Sequence, residues 1–193
     1  MMKRKFDKHN SKNREAGFTL LEVAISGVIL MIGLIAMLGV FTLALSTTQG
    51  VQLDQVAKQK AIETLESIYA ARSTQQITFT QIANTGAAGG IFTAGTVNGI
   101  LTAGPDGLDG TADDGTTPQG TCPLPYQCAI LPGPDGILGT ADDITSPMSN
   151  LTRTITINTL NPDLKQVIVT VGYTDAHNHP RNYTVQALIS SYR

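Results

Sequence analysis

The chain has 193 residues and little of what most globular domains use to build a large core or a charged surface. It has no tryptophan, its aromatic residues amount to 5%, and its charged residues amount to 15%, where about a quarter is usual. We therefore expect one domain of ordinary size with a small, aliphatic core. The formal net charge of −2 excludes a strongly basic surface, so no nucleic-acid partner is expected.

Signatures of catalysis and of structural metal sites are also missing. The chain has two cysteines, too few for a disulfide-rich scaffold, and no Cys/His spacing indicates zinc. No Walker A, GxGxxG, GxSxG or HExxH pattern occurs, and no spacing suggests a Ser/His/Asp set. We therefore predict that the protein is not an enzyme and that it has no catalytic residues.

The N-terminal region combines a basic segment with a long apolar one. Residues 1–17 hold six Lys or Arg and two acidic residues, and residues 18–45 then hold Glu22 as their only charge. At helical rise the apolar segment extends about 42 Å, enough to cross a hydrocarbon layer of ~30 Å. A cleaved secretory signal has a shorter apolar region, of about 7–15 residues. The positive-inside rule places residues 1–17 in the cytoplasm and the chain after about Leu45 outside.

The junction between these two segments carries a specific motif. Residues 17–22 read Gly-Phe-Thr-Leu-Leu-Glu, which resembles the prepilin cleavage and methylation motif of type IV pilins and type II secretion pseudopilins. The resemblance implies that prepilin peptidase cuts after Gly17 and methylates the new N-terminal residue, Phe18. It also implies that Glu22 is used in assembly. The fold it implies is pilin-like, with a long N-terminal helix packed on a small antiparallel sheet.

Elementary electrostatics gives Glu22 a role that agrees with this resemblance. A carboxylate inside an apolar layer is costly and normally has a partner. In a helical filament that partner would be the Phe18 ammonium of a neighbouring subunit, and the pair would set the axial register. In the alternative interpretation, the Glu22 side chain only extends toward the membrane interface.

An amphipathic helix is predicted from residue 46 to residue 72, directly after the apolar segment. Leu53, Ala61 and Leu65 recur at helical spacing, and charged residues occupy the other faces. This apolar stripe needs a cover, which a small sheet from the C-terminal part would supply. A helix lying on a membrane surface, the alternative, would carry a denser Lys/Arg face.

Residues 73–150 form a variable, Gly/Asp-rich region with one internal repeat. Residues 104–114, the first acidic loop, and residues 133–143, the second acidic loop, are identical at nine of eleven positions. Calcium takes six to eight oxygen ligands in flexible geometry, so calcium is the one cofactor that these loops suggest. Metal-free Asp-Gly turns are the other interpretation. The candidate calcium ligands are Asp106, Asp113, Asp114, Asp135, Asp142 and Asp143.

The two cysteines, Cys122 and Cys128, lie between the acidic loops. Outside the cytoplasm two such thiols oxidise, so we predict a disulfide, worth about 2 kcal/mol for so short a loop. A redox or metal site would need a C-x-x-C spacing or neighbouring histidines, and the sequence has neither at this place.

The C-terminal residues 151–193 alternate apolar and polar side chains in three runs. These runs lie at residues 151–158, 167–173 and 183–189, and they predict three strands of a half-buried antiparallel sheet. One face of the sheet can cover the amphipathic helix. The predicted fold class is therefore α+β, with a long irregular Gly/Asp-rich insertion between helix and sheet.

The resemblance also implies a function. We expect a structural subunit, a minor pilin of a type IV pilus, anchored in the inner membrane by one pass with a periplasmic head. It would then assemble with other pilins into the filament. Residues 28–38 look most like minor pilins of the PilV type. The alternative is a minor pseudopilin of a type II secretion system, which uses the same anchor.

Overall fold

The computed structural model describes residues 19–131, 133–175 and 178–192. The predicted leader, residues 1–17, lies outside them. The described chain divides between Leu45 and Ser46 into two compact units, which we describe separately. Its helix and strands are, in chain order, α1 (Leu20–Ser73), β1 (Thr96–Asn98), β2 (Cys128–Leu131), β3 (Ile144–Pro147), β4 (Thr152–Asn161), β5 (Leu164–Thr174) and β6 (Pro180–Ser190).

The first unit contains the apolar part of α1. Its segment Leu20–Leu45 is 26 residues long and apolar enough to cross a membrane. The large apolar side chains of this segment are all more than half exposed, from 51% at Ile25 to 89% at Leu20. Such a surface needs lipid or other helices as a cover. The prediction of one N-terminal helix long and apolar enough to span a membrane is confirmed.

The second unit begins with the remainder of α1, whose inner stripe packs on a sheet. The buried residues of this half recur at steps of four and three, at Ala57, Ala61, Thr64, Ile68 and Ala71. Leu65, which the sequence pattern placed on the stripe, is only partly buried. A threonine takes the central position because its hydroxyl joins a polar network described below. The helix ends at Ser73, and Gln75 follows with a left-handed φ of 64°.

A four-stranded antiparallel sheet covers this stripe, in the strand order β1-β4-β5-β6. Across its centre, Val169 on β5 lies opposite Ile155 on β4 and opposite Val185 on β6. Buried and half-buried residues alternate along β5, as expected when one sheet face meets a helix. The predicted small antiparallel sheet and the α+β class are confirmed. The fourth strand, β1, was not predicted, because its three residues are too few to show alternation.

The middle region is less irregular than its composition predicts. β2 and β3 pair into a separate antiparallel hairpin, and the second acidic loop lies at its tip. With β1, three short strands therefore lie inside the region that we expected to be a loop throughout. Each is three or four residues long, so the alternation that identifies a longer strand does not develop.

The core is small and aliphatic, and the middle region contributes to it. Phe92, Ile100 and Leu108 are buried in the same cluster as the inner residues of α1 and the sheet. Leu108 belongs to the first acidic loop and is 3% exposed. The first acidic loop is therefore part of the folded body rather than an appendage to it.

Candidate functional site

The start of α1 is formed by residues of the processing motif. Thr19 precedes the helix, and its hydroxyl accepts a hydrogen bond from the Glu22 backbone N–H at 3.3 Å. A Thr followed three residues later by Glu is the capping-box pattern, which fixes the first turn of a helix. Glu22 therefore has a local position in starting the helix, besides the intermolecular role that the resemblance implies. Gly17 and Phe18, the predicted cleavage and methylation residues, lie outside the described residues.

A buried arginine holds the first acidic loop on the sheet. Arg153 of β4 has 2% of its side chain exposed, and its guanidinium lies 3.0 Å from Asp109 Oδ1 and 2.5 Å from Asp114 Oδ2. Both carboxylates belong to the first acidic loop, and their side chains are 6% and 5% exposed. Removing one partner of so buried an ion pair typically costs about 3–5 kcal/mol. Arg153 therefore fixes the loop to β4.

Polar side chains of α1 and of the segment before β2 complete this network. Thr64 Oγ1 lies 3.2 Å from Asp109 Oδ2 and accepts from Arg153 Nη1 at 3.4 Å. Gln127 Nε2 donates to Asp109 Oδ1 at 3.4 Å, and Gln127 Oε1 accepts from Lys60 Nζ at 2.6 Å. One connected set of hydrogen bonds thus joins the helix, the first acidic loop and the sheet.

Two carboxylates share one guanidinium in this network, so a negative charge is in surplus. Burial raises the pKa of the Asp114 carboxyl to about 6, and the neighbouring Asp109 carboxylate adds to the rise. The Arg153 guanidinium and the Gly110 N–H oppose the rise, because they stabilise the ionised form. The group that anchors the first acidic loop therefore titrates close to neutral pH.

Hydrogen bonds within the first acidic loop occupy its carboxylates. Asp106 Oδ1 accepts from the backbone N–H two residues further on at 2.8 Å, and Asp114 Oδ2 accepts from the Gly110 N–H at 2.8 Å. Asp113 Oδ1 accepts from the Thr111 hydroxyl at 2.6 Å, and this bond lowers the pKa of the Asp113 carboxyl. The acidic side chains therefore shape the loop in the way that Asx turns do.

The second acidic loop repeats the main hydrogen bonds of the first. Asp135 Oδ1 accepts from the backbone N–H two residues further on at 2.8 Å, and Asp143 Oδ2 accepts from the Gly139 N–H at 2.7 Å. The Thr140 hydroxyl donates to Asp142 Oδ1 at 2.6 Å, and the pKa of the Asp142 carboxyl is again lowered. The internal sequence repeat therefore encodes one loop structure twice.

These bonds bear on the predicted calcium ligands. In both loops the carboxylates accept from the loop's own amides and hydroxyls, which is the arrangement that metal-free Asp-Gly turns require. Within the part of the chain that the structure describes, no group of three or more His, Cys, Asp or Glu side chains is placed to hold a metal ion. Calcium binding therefore stays a prediction from the sequence, with metal-free Asp-Gly turns as its alternative.

The predicted disulfide is present in the structure. Cys122 and Cys128 are bonded, with their Cα atoms 5.8 Å apart. Cys128 is the first residue of β2, so the bridge closes the segment that leads into the hairpin. The cross-link therefore restrains the base of the element whose tip is the second acidic loop.

Two buried basic residues were missed by the sequence analysis. Lys165 Nζ donates to the carbonyl oxygens of Phe79 and Ile82, both at 2.8 Å, and burial lowers the pKa of its ammonium group. Arg153 and Lys165 both occupy inward positions of strands whose other inward residues are mostly apolar. A basic residue at such a position must find a partner, and this is the signal that could have identified both.

We found no match between this chain and protein-family models, curated proteins or solved structures. The function is therefore argued from the motif at the start of α1 and from the geometry of the chain itself.

Proposed function

We propose that the chain is a structural subunit of an extracellular filament, a minor pilin of a type IV pilus. Prepilin peptidase cuts it after Gly17, Phe18 becomes the methylated N-terminus, and the helix then moves from the membrane into the filament core. One observation carries this proposal. Thr19 and Glu22, the last part of the processing motif, also start α1, and the 26-residue segment that follows is apolar enough to cross a membrane.

The exposure of the apolar segment supports assembly. Its large side chains are more than half exposed in the described unit, and both a membrane and a bundle of similar helices would cover them. Glu22 is the single charge from residue 18 to residue 45. A carboxylate at that place is stabilised when a neighbouring subunit brings an amino terminus to it.

The charge of the head supports a minor subunit rather than a bulk one. Residues 73–152 contain seven Asp and no Lys or Arg. Identical heads packed side by side along a filament would bring these like charges together, and their repulsion would oppose dense self-packing. A low-copy position among other subunits avoids this repulsion.

The proposal is tested by locating the protein in filaments sheared from the surface of cells with and without prepilin peptidase. We expect the protein in the filament fraction only when the peptidase is present. Recovery in the membrane fraction alone, in both strains, would contradict the proposal.

A minor pseudopilin of a type II secretion system is the second candidate, because the motif at residues 17–22 serves both classes. Deletion of the protein separates them. If the protein is a minor pilin, its deletion should reduce the number of surface pili, while secreted proteins should still appear in the medium. If it is a pseudopilin, its deletion should leave the number of surface pili unchanged and should remove secreted proteins from the medium.

A further inference from the structure

The two acidic loops share most of their internal hydrogen bonds but have different surroundings. Leu108 of the first loop is 3% exposed, whereas its counterpart in the second loop, Ile137, is 61% exposed. A Cβ built on Gly110 would lie 2.2 Å from Ile155 Cδ1, whereas one built on Gly139 would meet nothing within 4 Å. The same loop face is therefore packed against protein in one copy and open in the other.

The side chains packed on the first acidic loop indicate which kind of surface this loop structure can bind. β4 supplies two groups to it, the Arg153 guanidinium against Asp114 and the Ile155 side chain against Gly110. The surface that binds the first acidic loop is thus an arginine next to an aliphatic side chain. The guanidinium is well suited to this place because it keeps its charge when buried.

The second acidic loop keeps the counterparts of the residues that Arg153 and Ile155 contact in the first loop. Asp143 corresponds to Asp114 and Gly139 to Gly110, while Leu138 replaces Asp109. One carboxylate is then available for one guanidinium, without the surplus charge of the first loop. Asp143 makes no ion pair among the described residues, whereas Asp114 Oδ2 pairs with Arg153 in the first loop.

The rest of the hairpin exposes apolar side chains near the open loop. Its large aliphatic side chains are between 49% and 61% exposed, at Ile130, Leu131, Ile137, Leu138 and Ile144. The sequence offers no nearby base, since residues 73–152 contain no Lys or Arg. Exposed aliphatic side chains in this number near an acidic loop are typical of a surface that binds another protein.

We propose that the second acidic loop is a docking site for another protein, whose surface presents an arginine between aliphatic side chains. That arginine pairs with Asp143, and the aliphatic side chains cover Ile137 and Leu138, as β4 covers the first loop. The inference goes beyond the filament function and does not depend on it, because it rests on the comparison of the two loops within one chain.

A substitution within the chain tests whether the second-loop sequence fits an arginine-bearing surface. The double variant L108I/D109L gives the first loop the sequence of the second. Asp109 also contacts Arg153, Thr64 and Gln127, so we expect this variant of the full chain in detergent to have a lower thermal midpoint than the unsubstituted protein. We expect the fall to stay smaller than the fall on loss of Asp114, because Asp114 still pairs with Arg153. The matched change D114L removes the carboxylate that both loops keep, and we expect it to lower the midpoint by roughly 8 °C or more.

A photo-crosslinking residue at position 138, in the full chain in its own cells, identifies the partner surface. We expect a cross-link to one protein, at a peptide that contains arginine, and about a tenfold loss of that product in D143N. The matched control site is Leu188, an exposed leucine on β6 that lies outside the hairpin. The matched control charge is D163N, which removes an exposed carboxylate elsewhere.

Several results would overturn the proposal. One is a midpoint of L108I/D109L that falls as far as the midpoint of D114L. Another is cross-linking at position 138 that does not exceed cross-linking at position 188. Cross-links to lipid or glycan, cross-links spread over many proteins, a peptide without arginine, or an equal yield in D143N and D163N would also overturn it.

Discussion

Glu22 lies in the first turn of α1, and the proposed assembly would give it a second, intermolecular requirement. Its backbone N–H bonds to Thr19 at the start of α1, and its side chain is the only charge in the apolar segment. The two requirements respond differently to substitution. A capping box accepts Gln as well as Glu, whereas an ion pair with an amino terminus needs the charge.

We predict that E22Q is processed and inserted normally but fails to enter filaments, because it keeps the capping pattern and loses the charge. E22A should fail in the same assay. The measurement is the share of the protein in the sheared filament fraction. E66Q is the matched control, since Glu66 is an exposed glutamate of the same helix. Normal assembly of E22Q would show that the charge of Glu22 is not required for assembly.

The second prediction at the scale of single residues concerns Asp114 and pH. Its carboxyl pKa rises from 3.8 to about 6 on folding, so the folded chain binds a proton that the unfolded chain has released. The stability from this group is therefore present below about pH 4 and is lost as the pH rises through about 6. We expect the urea midpoint of the protein to fall between about pH 5 and about pH 7, and D114N to show a smaller fall.

The neighbouring D113N is the control for this experiment. The pKa of Asp113 is lowered by the Thr111 hydroxyl, so this carboxylate stays ionised across the same pH interval in both states. D113N should keep the slope of the unsubstituted protein even if its overall stability changes. Equal slopes in D114N and the unsubstituted protein would contradict the assigned titration.

At the scale of elements, the inner stripe of α1 uses small side chains where it enters the core. Ala57 and Ala61 are fully buried in the same cluster as the inward residues of the sheet. We predict that A61L destabilises the protein by about 1–3 kcal/mol, because added methylenes overpack a closed interface. A70L, on the exposed face of the same helix, should be nearly neutral. The check is the urea midpoint of both variants, and an equal midpoint would contradict the packing described.

The long elements could be predicted from the sequence, and the short ones could not. The pattern of α1 and of β4, β5 and β6 extends over ten residues or more, so periodicity is visible. β1, β2 and β3 have three or four residues, and tertiary pairing decides their conformation. The repeat of the acidic loops was visible in the sequence, but the docking of the first loop on Arg153 was not. That contact spans 39 residues and depends on which face of β4 turns inward.

At the scale of the whole molecule, the chain separates two tasks along its length. The apolar segment of α1 carries the properties that a membrane or a filament core requires, and the unit from Ser46 onward is built around its own core. The acidic loops belong to that second unit, one fixed inside it and one exposed at the hairpin tip. Assembly through the first segment and contact with other proteins through the second would then be independent properties, open to separate substitution.

The measurement that tests the central claim most directly is the mass of the protein's N-terminal peptide from membranes with and without prepilin peptidase. The account predicts a chain beginning with N-methylated Phe18 when the peptidase is present, and a chain beginning at Met1 when it is absent. G17A should block the cut, whereas G27A should not, because a Cβ at Gly27 meets nothing within 4 Å. A Met1 start in both strains, or a cut at another position, would contradict the account.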